Sequence, residues 1–163
     1  MRCQPFSFVK RTITREGNKI MLTFEYSEVY DYPASAIYSR LTDLEGRASW
    51  MKGIIENRVA TEGPVRLGTQ YFESGKYSGF KSDKMMIVTE LVQDQLLTME
   101  TTPDQKQYFR ESYLVEPVSE TSCRVHFTIK VGNVPKVAEF FMRQSMKKEQ
   151  PKTAASLKAA LHN

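Results

Sequence analysis

"YPASAIYSRLTDLEGRASWM", residues 32–51, is the stretch that decides the fold. Pro33 suits the first turn of a helix, because the N–H it lacks is one that a helix start leaves unbonded anyway. Ala34, Ile37, Tyr38 and Leu41 then recur at the i, i+3, i+4, i+7 spacing of one apolar helix face. Asp43 can cap a second short helix, in which Leu44, Ala48 and Met51 share a face, Trp50 lies beside it and Gly53 ends it. Two short helices and the chain's one tryptophan thus follow directly on residues 20–30 (IMLTFEYSEVY), which alternate as a strand does.

On the upstream side, residues 6–15 alternate as well, and residues 16–18 supply turn chemistry. Residues 1–19 therefore read as an N-terminal extension or an extra hairpin strand. Downstream, short β-like runs replace helical spacing, at 54–62, 68–76, 81–93, 96–102, 107–117 and 122–132. Turn residues separate them, which favours an antiparallel meander over alternating βα units. With residues 20–30 the count is seven strands.

Helical periodicity returns at 134–149, where Val134, Val137, Ala138, Phe141 and Met142 share one side of the wheel. Ala154, Leu157 and Leu161 fall nearly opposite, and Pro151 lies between the two stripes. A kink or break is expected at that proline, which lacks a backbone donor and crowds the preceding turn.

Composition limits the function classes. The 163 residues are 40% hydrophobic and 26% charged, which fits one globular domain burying about 70% of its unfolded surface. The net charge of +4 comes from 23 basic and 19 acidic residues scattered along the chain, so no nucleic-acid partner is expected. No apolar run approaches the roughly 20 residues of a membrane span, and no secretory signal pattern opens the sequence; a cytoplasmic location is expected. Cys3 and Cys123 lack CxxC spacing, and His126 and His162 lie far apart. Neither a metal site nor a cofactor is expected.

The order strand, two short helices, six strands, long helix is similar to that of the SRPBCC superfamily, which includes START domains, birch-pollen-allergen-like proteins and polyketide cyclase/dehydrase-like proteins. The resemblance rests on Pro33, Ile37, Tyr38, Leu41, Thr42, Asp43 and Trp50, on "EGPVRLGTQYF" at 62–72, on "YLVEPVSETSCRVHFTIKV" at 113–131 and on the closing "SLKAALHN". Tyr38 stands where a tryptophan is usual, and Asn163 replaces a terminal acid. The resemblance implies an α+β helix-grip fold over residues 20–163: a curved seven-stranded antiparallel sheet around a C-terminal helix, with two short helices after the first strand. It further implies an apolar cavity between helix and sheet, walled partly by Trp50 and the short helices.

Strand alternation then nominates inward side chains. On 122–132 these are Val125, Phe127, Ile129 and Val131, with His126 outside. On 107–115 they are Phe109, Tyr113 and Val115, and Glu111 shares their face. A carboxylate there demands an Arg or Tyr partner or a raised pKa, which makes Glu111 the sharpest candidate. On 68–75 periodicity leaves two inward sets, Tyr71 with Glu73 or Phe72 with Ser74, and the first is preferred.

The expected lining is Tyr38, Trp50, Tyr71, Met86, Val88, Met99, Phe109, Tyr113, Phe127, Phe141 and Met142. The expected function is binding, transport or sequestration of a small hydrophobic molecule by a monomer or weak homodimer. A cyclase/dehydratase-like enzyme using Glu111, Glu73 and Tyr113 in the same cavity is an alternative, and a protein-partner module such as a chaperone ATPase activator is another.

Overall fold

The computed structural model describes residues 6–13, 20–77 and 79–162. Eight strands form one antiparallel sheet: β1 (Phe6–Ile13), β2 (Ile20–Tyr30), β3 (Ile54–Val59), β4 (Gln70–Tyr77), β5 (Phe80–Val92), β6 (Leu96–Thr101), β7 (Phe109–Ser119) and β8 (Ser122–Val134). Their spatial order is β1-β2-β8-β7-β6-β5-β4-β3. The seven expected strands are present, and β1 adds an eighth at the edge beside β2. The expected turn at 16–18 and Cys3 lie outside the described residues.

Five strands lie between the consecutive strands β2 and β3, so residues 31–53 must carry the chain across one face of the sheet. They do so as α1 (Ala34–Thr42), which packs against β6 and β7, and a 3-10 helix, Glu45–Ser49, which packs against β3. Pro33 sits at the start of α1 as expected. The second helix is a 3-10 segment, its first turn closed by Asp43 Oδ1 accepting from the Gly46 N–H at 3.1 Å. The 3-10 helix ends earlier than expected, at Ser49 with Trp50 as its cap, and Gly53, at φ +97, turns the chain into β3, its carbonyl accepting from Lys76 N–H at 2.7 Å. A Cβ at the facing Gly75 would lie 2.8 Å from that carbonyl, so this approach needs glycine. Register shifts at four strand pairs, β2–β8, β3–β4, β5–β6 and β7–β8, are bulges of the kind that let a sheet bend.

α2 (Lys136–Ala160) closes the concave side against β2 and β8. Its C-terminal half is pinned: the Tyr30 hydroxyl donates to Ala154 O at 2.9 Å, and Arg40 donates to Ala160 O at 2.7 Å. A cation on the last carbonyls also suits the negative end of the helix dipole. No break occurs at Pro151. Ala138, Met142 and Met146 face one apolar cluster, whereas Ala154, Leu157 and Ala160 join the larger one. Each i to i+4 step advances about 40° around the axis, so the buried stripe winds along an unbroken helix and serves both clusters in turn.

That winding corrects one expectation. Phe141 is 73% exposed, because the stripe passes through its neighbours Ala138 and Met142. Phe140 and Val137 are exposed beside it.

Candidate functional site

Alternation sets the floor of the interior. Tyr71 and Glu73 from β4, Met86 and Val88 from β5, Met99 from β6, Glu111, Tyr113 and Val115 from β7, and Val125 and Phe127 from β8 all point inward and are buried. The Tyr71 and Glu73 register is the preferred one of the two that periodicity left open. β5 carries a further inward residue two positions before Met86, the buried Lys84.

Arg47 enters this floor from the 3-10 helix and is 1% exposed. Its Nη2 lies 2.7 Å from Glu111 Oε2 and donates to the Tyr113 hydroxyl at 3.1 Å. Nη1 faces the Tyr71 hydroxyl at 3.4 Å and Met99 Sδ at 3.3 Å, while Met51 Sδ lies 3.4 Å from Nη2. Tyr113 in turn donates to Glu111 Oε1, and Tyr71 donates to Met99 Sδ at 3.1 Å. The demand that Glu111 makes for a buried partner is thus met twice, by an arginine and by a tyrosine.

A second ion pair lies along the same floor, where register places Glu73 opposite Lys84. Lys84 Nζ is 2.8 Å from Glu73 Oε1, which also accepts from the Tyr77 hydroxyl at 3.3 Å. The ammonium sits 4.5 Å from the Phe109 ring centroid and 5.1 Å from that of Tyr77, a cation–π enclosure. Two cations and two carboxylates, joined by the hydroxyls of Tyr71, Tyr77 and Tyr113, therefore lie among the buried apolar side chains of the floor. Glu73 Oε2, Arg47 Nε and Trp50 Nε1 are buried without a hydrogen-bond partner among the described residues.

The electrostatics of the group are self-reinforcing. Burial works against the Arg47 charge, but Glu111, then Tyr113, Tyr71 and Glu73, hold its guanidinium protonated well above the ordinary range. Burial likewise pushes the Glu73 carboxyl up, and Lys84, Arg47 and the hydrogen bonds from Lys84 and Tyr77 outweigh it, leaving the carboxyl below its usual value. Burial drives the Tyr71 and Tyr113 phenols well above theirs despite the opposing pull of Arg47. The phenols stay protonated and the Glu73 carboxylate stays ionised near neutral pH.

Of the other sequence candidates, Trp50 is buried at the end of the 3-10 helix, and Phe127 stacks edge-on to Tyr113 at 5.5 Å. Phe109 and Met142 are half-buried, Phe109 between the two clusters and Met142 against the smaller. Tyr38 is buried in α1, outside the groups gathered on Arg47; burial raises its phenol, and Asp94 in the β5–β6 turn adds to the rise. His126 lies on the outer face, half-buried between Ser27 Oγ and Glu116 Oε2, each at 2.7 Å. An open groove of about 390 Å³ between residues 42–45 and 59–65 is lined by none of the candidates. Sequence reasoning missed Arg47 and Lys84. The alternation through Met86 and Val88 marks Lys84, and the pairing demand of Glu111 asks for an arginine without naming its position.

With this geometry in place, the class is that of a helix-grip domain whose concave interior holds buried polar groups. The chain belongs to the polyketide cyclase/dehydrase and lipid transport family, whose model matches residues 21–162. Among solved structures it is similar to a START superfamily protein from Mycobacterium smegmatis, with TM-score 0.73 and 12% identity over 86% of this chain and 97% of that one. It is likewise similar to the Zhui aromatase/cyclase from Streptomyces sp. R1128, with TM-score 0.74 and 11% identity over 87% and 94%. Human STARD10 matches with TM-score 0.71 and 16% identity over 94% and 72%. At such identities the likeness is one of fold. No curated protein sequence matches the chain. Among the described residues no helix is long and apolar enough to cross a membrane.

Proposed function

We propose that the protein binds a small, mainly hydrophobic molecule between the sheet and α2, for transport or sequestration in the cytoplasm. The carrying observation is the Arg47–Glu111 pair, 2.7 Å apart and buried among the apolar side chains of the floor. Taking ions out of water costs several kcal/mol each, and apolar side chains of similar volume commonly replace such pairs without loss of stability. A chain that keeps Arg47, Glu111, Glu73 and Lys84 inside has a use for them beyond packing. Orienting one polar end of a greasy molecule is a use that suits few polar groups on apolar walls. Membership of a family described by polyketide cyclisation and lipid transport supports the same reading.

A second reading, a cyclase/dehydratase-like enzyme in the same interior, draws support from the Tyr113 hydroxyl donating to Glu111 beneath Arg47. Proton transfer at neutral pH is served by groups tuned toward neutrality. Glu73 is held below its usual range and the Tyr71 and Tyr113 phenols above theirs, which ranks binding first.

Native mass spectrometry of the purified protein tests the proposal. A discrete excess mass that is lost on denaturation is the expected result. The bare chain mass, together with no change in Trp50 emission on adding apolar small molecules, would remove it.

A further inference from the structure

The unpartnered atoms define what kind of polar end the interior accepts, an inference that rests on the binding reading above. Both buried cations are already committed: Arg47 to Glu111 at 2.7 Å, and Lys84 to Glu73 at 2.8 Å. The four charges sum to zero. Among the described residues, Asn57 Oδ1, Thr89 Oγ1 and Gln150 Nε2 are neutral buried atoms without a partner, and the unpaired charged atom on the sheet floor is an acceptor, Glu73 Oε2, on a residue that is 1% exposed and fixed through its other oxygen by Lys84 and Tyr77. The 3-10 helix and its C-cap residue leave two buried donors unpaired, Arg47 Nε and Trp50 Nε1.

A buried carboxylate oxygen with no donor is costly, and hydrogen bonds to charged groups are the strong ones. A ligand carboxylate can satisfy only the donors. It would also bring a fifth charge into a neutral set and meet two carboxylates already buried there. An ether or ketone leaves Glu73 Oε2 as it is. A neutral hydroxyl gives its proton to Glu73 and keeps lone pairs for a donor.

We infer that Glu73 is a ligand-binding residue and that the ligand class is a hydroxyl-bearing apolar molecule, an alcohol or phenol, rather than a fatty or aromatic acid. Glu73 Oε2 accepts the hydroxyl proton, Lys84 and Tyr77 hold the carboxylate in place, and the apolar body lies along Tyr71, Met86 and Phe109.

Three spectrally silent probes of one shape separate the possibilities: 2-decalol, 2-methoxydecalin and decalin-2-carboxylate, titrated into the intact protein at pH 7 with Trp50 emission and calorimetry as readouts. The alcohol is expected to bind about tenfold or more tighter than either analogue, a ratio set by one hydrogen bond to a charged acceptor. In Glu73→Gln that preference is expected to shrink to within about threefold while the ether's affinity holds. Equal binding of alcohol and ether, or tighter binding of the acid, overturns the donor inference and leaves the binding reading standing. Failure of all three to bind removes both. The comparison among probes in the unaltered protein decides the matter even where Glu73→Gln does not fold.

Discussion

Arg47 and Glu111 stand 64 positions apart in the chain and meet at 2.7 Å, one brought by a 3-10 helix and the other by the central strand β7. Their pairing fastens the helical crossover to the sheet floor. Removing one partner strands a buried charge, which costs about 3–5 kcal/mol, whereas replacing both with apolar groups is often neutral. Arg47→Met or Glu111→Leu alone is therefore expected to lower unfolding free energy by roughly that amount, and the two together to recover most of it. Chemical denaturation of the two singles and the double provides the cycle. Single substitutions worth less than about 1 kcal/mol would show that the pair is solvated.

The winding stripe of α2 makes neighbouring residues unequal. Phe141→Glu, on the exposed side, is expected to change stability by no more than about 0.5 kcal/mol. Met142→Glu, against the smaller apolar cluster, is expected to cost about 2 kcal/mol or more. Thermal unfolding of both variants checks the difference, and equal losses would contradict the helix orientation.

Stability should fall in acid partly through Glu73. Its folded pKa lies below the ordinary value of 4.5. A carboxyl with a depressed folded pKa contributes stability that is present above its unfolded pKa and lost as pH falls through the folded one. Between about pH 5 and the acid limit, Glu73→Gln is thus expected to flatten the pH dependence of unfolding free energy relative to the parent. Parallel curves would mean that Glu73 is not charged in the folded state. At the alkaline end the sign reverses for Tyr71 and Tyr113, whose phenols are raised by burial. Their contribution is complete below about pH 10 and is lost as pH climbs toward their folded values.

Tyr30→Phe removes the hydroxyl that donates to Ala154 O. A loss of about 1 kcal/mol is expected, with faster hydrogen exchange in residues 150–160 and little change in β3–β6. Uniformly faster exchange would place the bond's role outside helix docking.

Much of this architecture was legible in the sequence because period-2 and period-3.6 patterns report directly on which face is buried. β2 came out at its observed bounds, and the inward sets on β7 and β8 followed from Phe109, Tyr113, Val125 and Phe127. Glu111 stood out because it breaks an apolar face. Its partner did not, since Arg47 sits in a short segment, EGRAS, where charged residues are ordinary and only the tertiary path of the crossover turns one inward. Phe141 was misplaced because a straight wheel cannot express a stripe that rotates along 25 residues of helix. Unpaired atoms such as Glu73 Oε2 have no signature in sequence at all, because they depend on which neighbours are already engaged.

Methionine methyl NMR reaches the interior most directly, because Met51 and Met99 each lie within 3.4 Å of the Arg47 guanidinium, whereas Met142 and Met146 belong to the other cluster. On titrating 2-decalol into the labelled protein, saturable shifts of the Met51, Met86 and Met99 methyls are predicted, with Met146 unmoved. Shifts confined to methionines outside the grip, or none at saturating probe, would contradict an interior that receives a ligand.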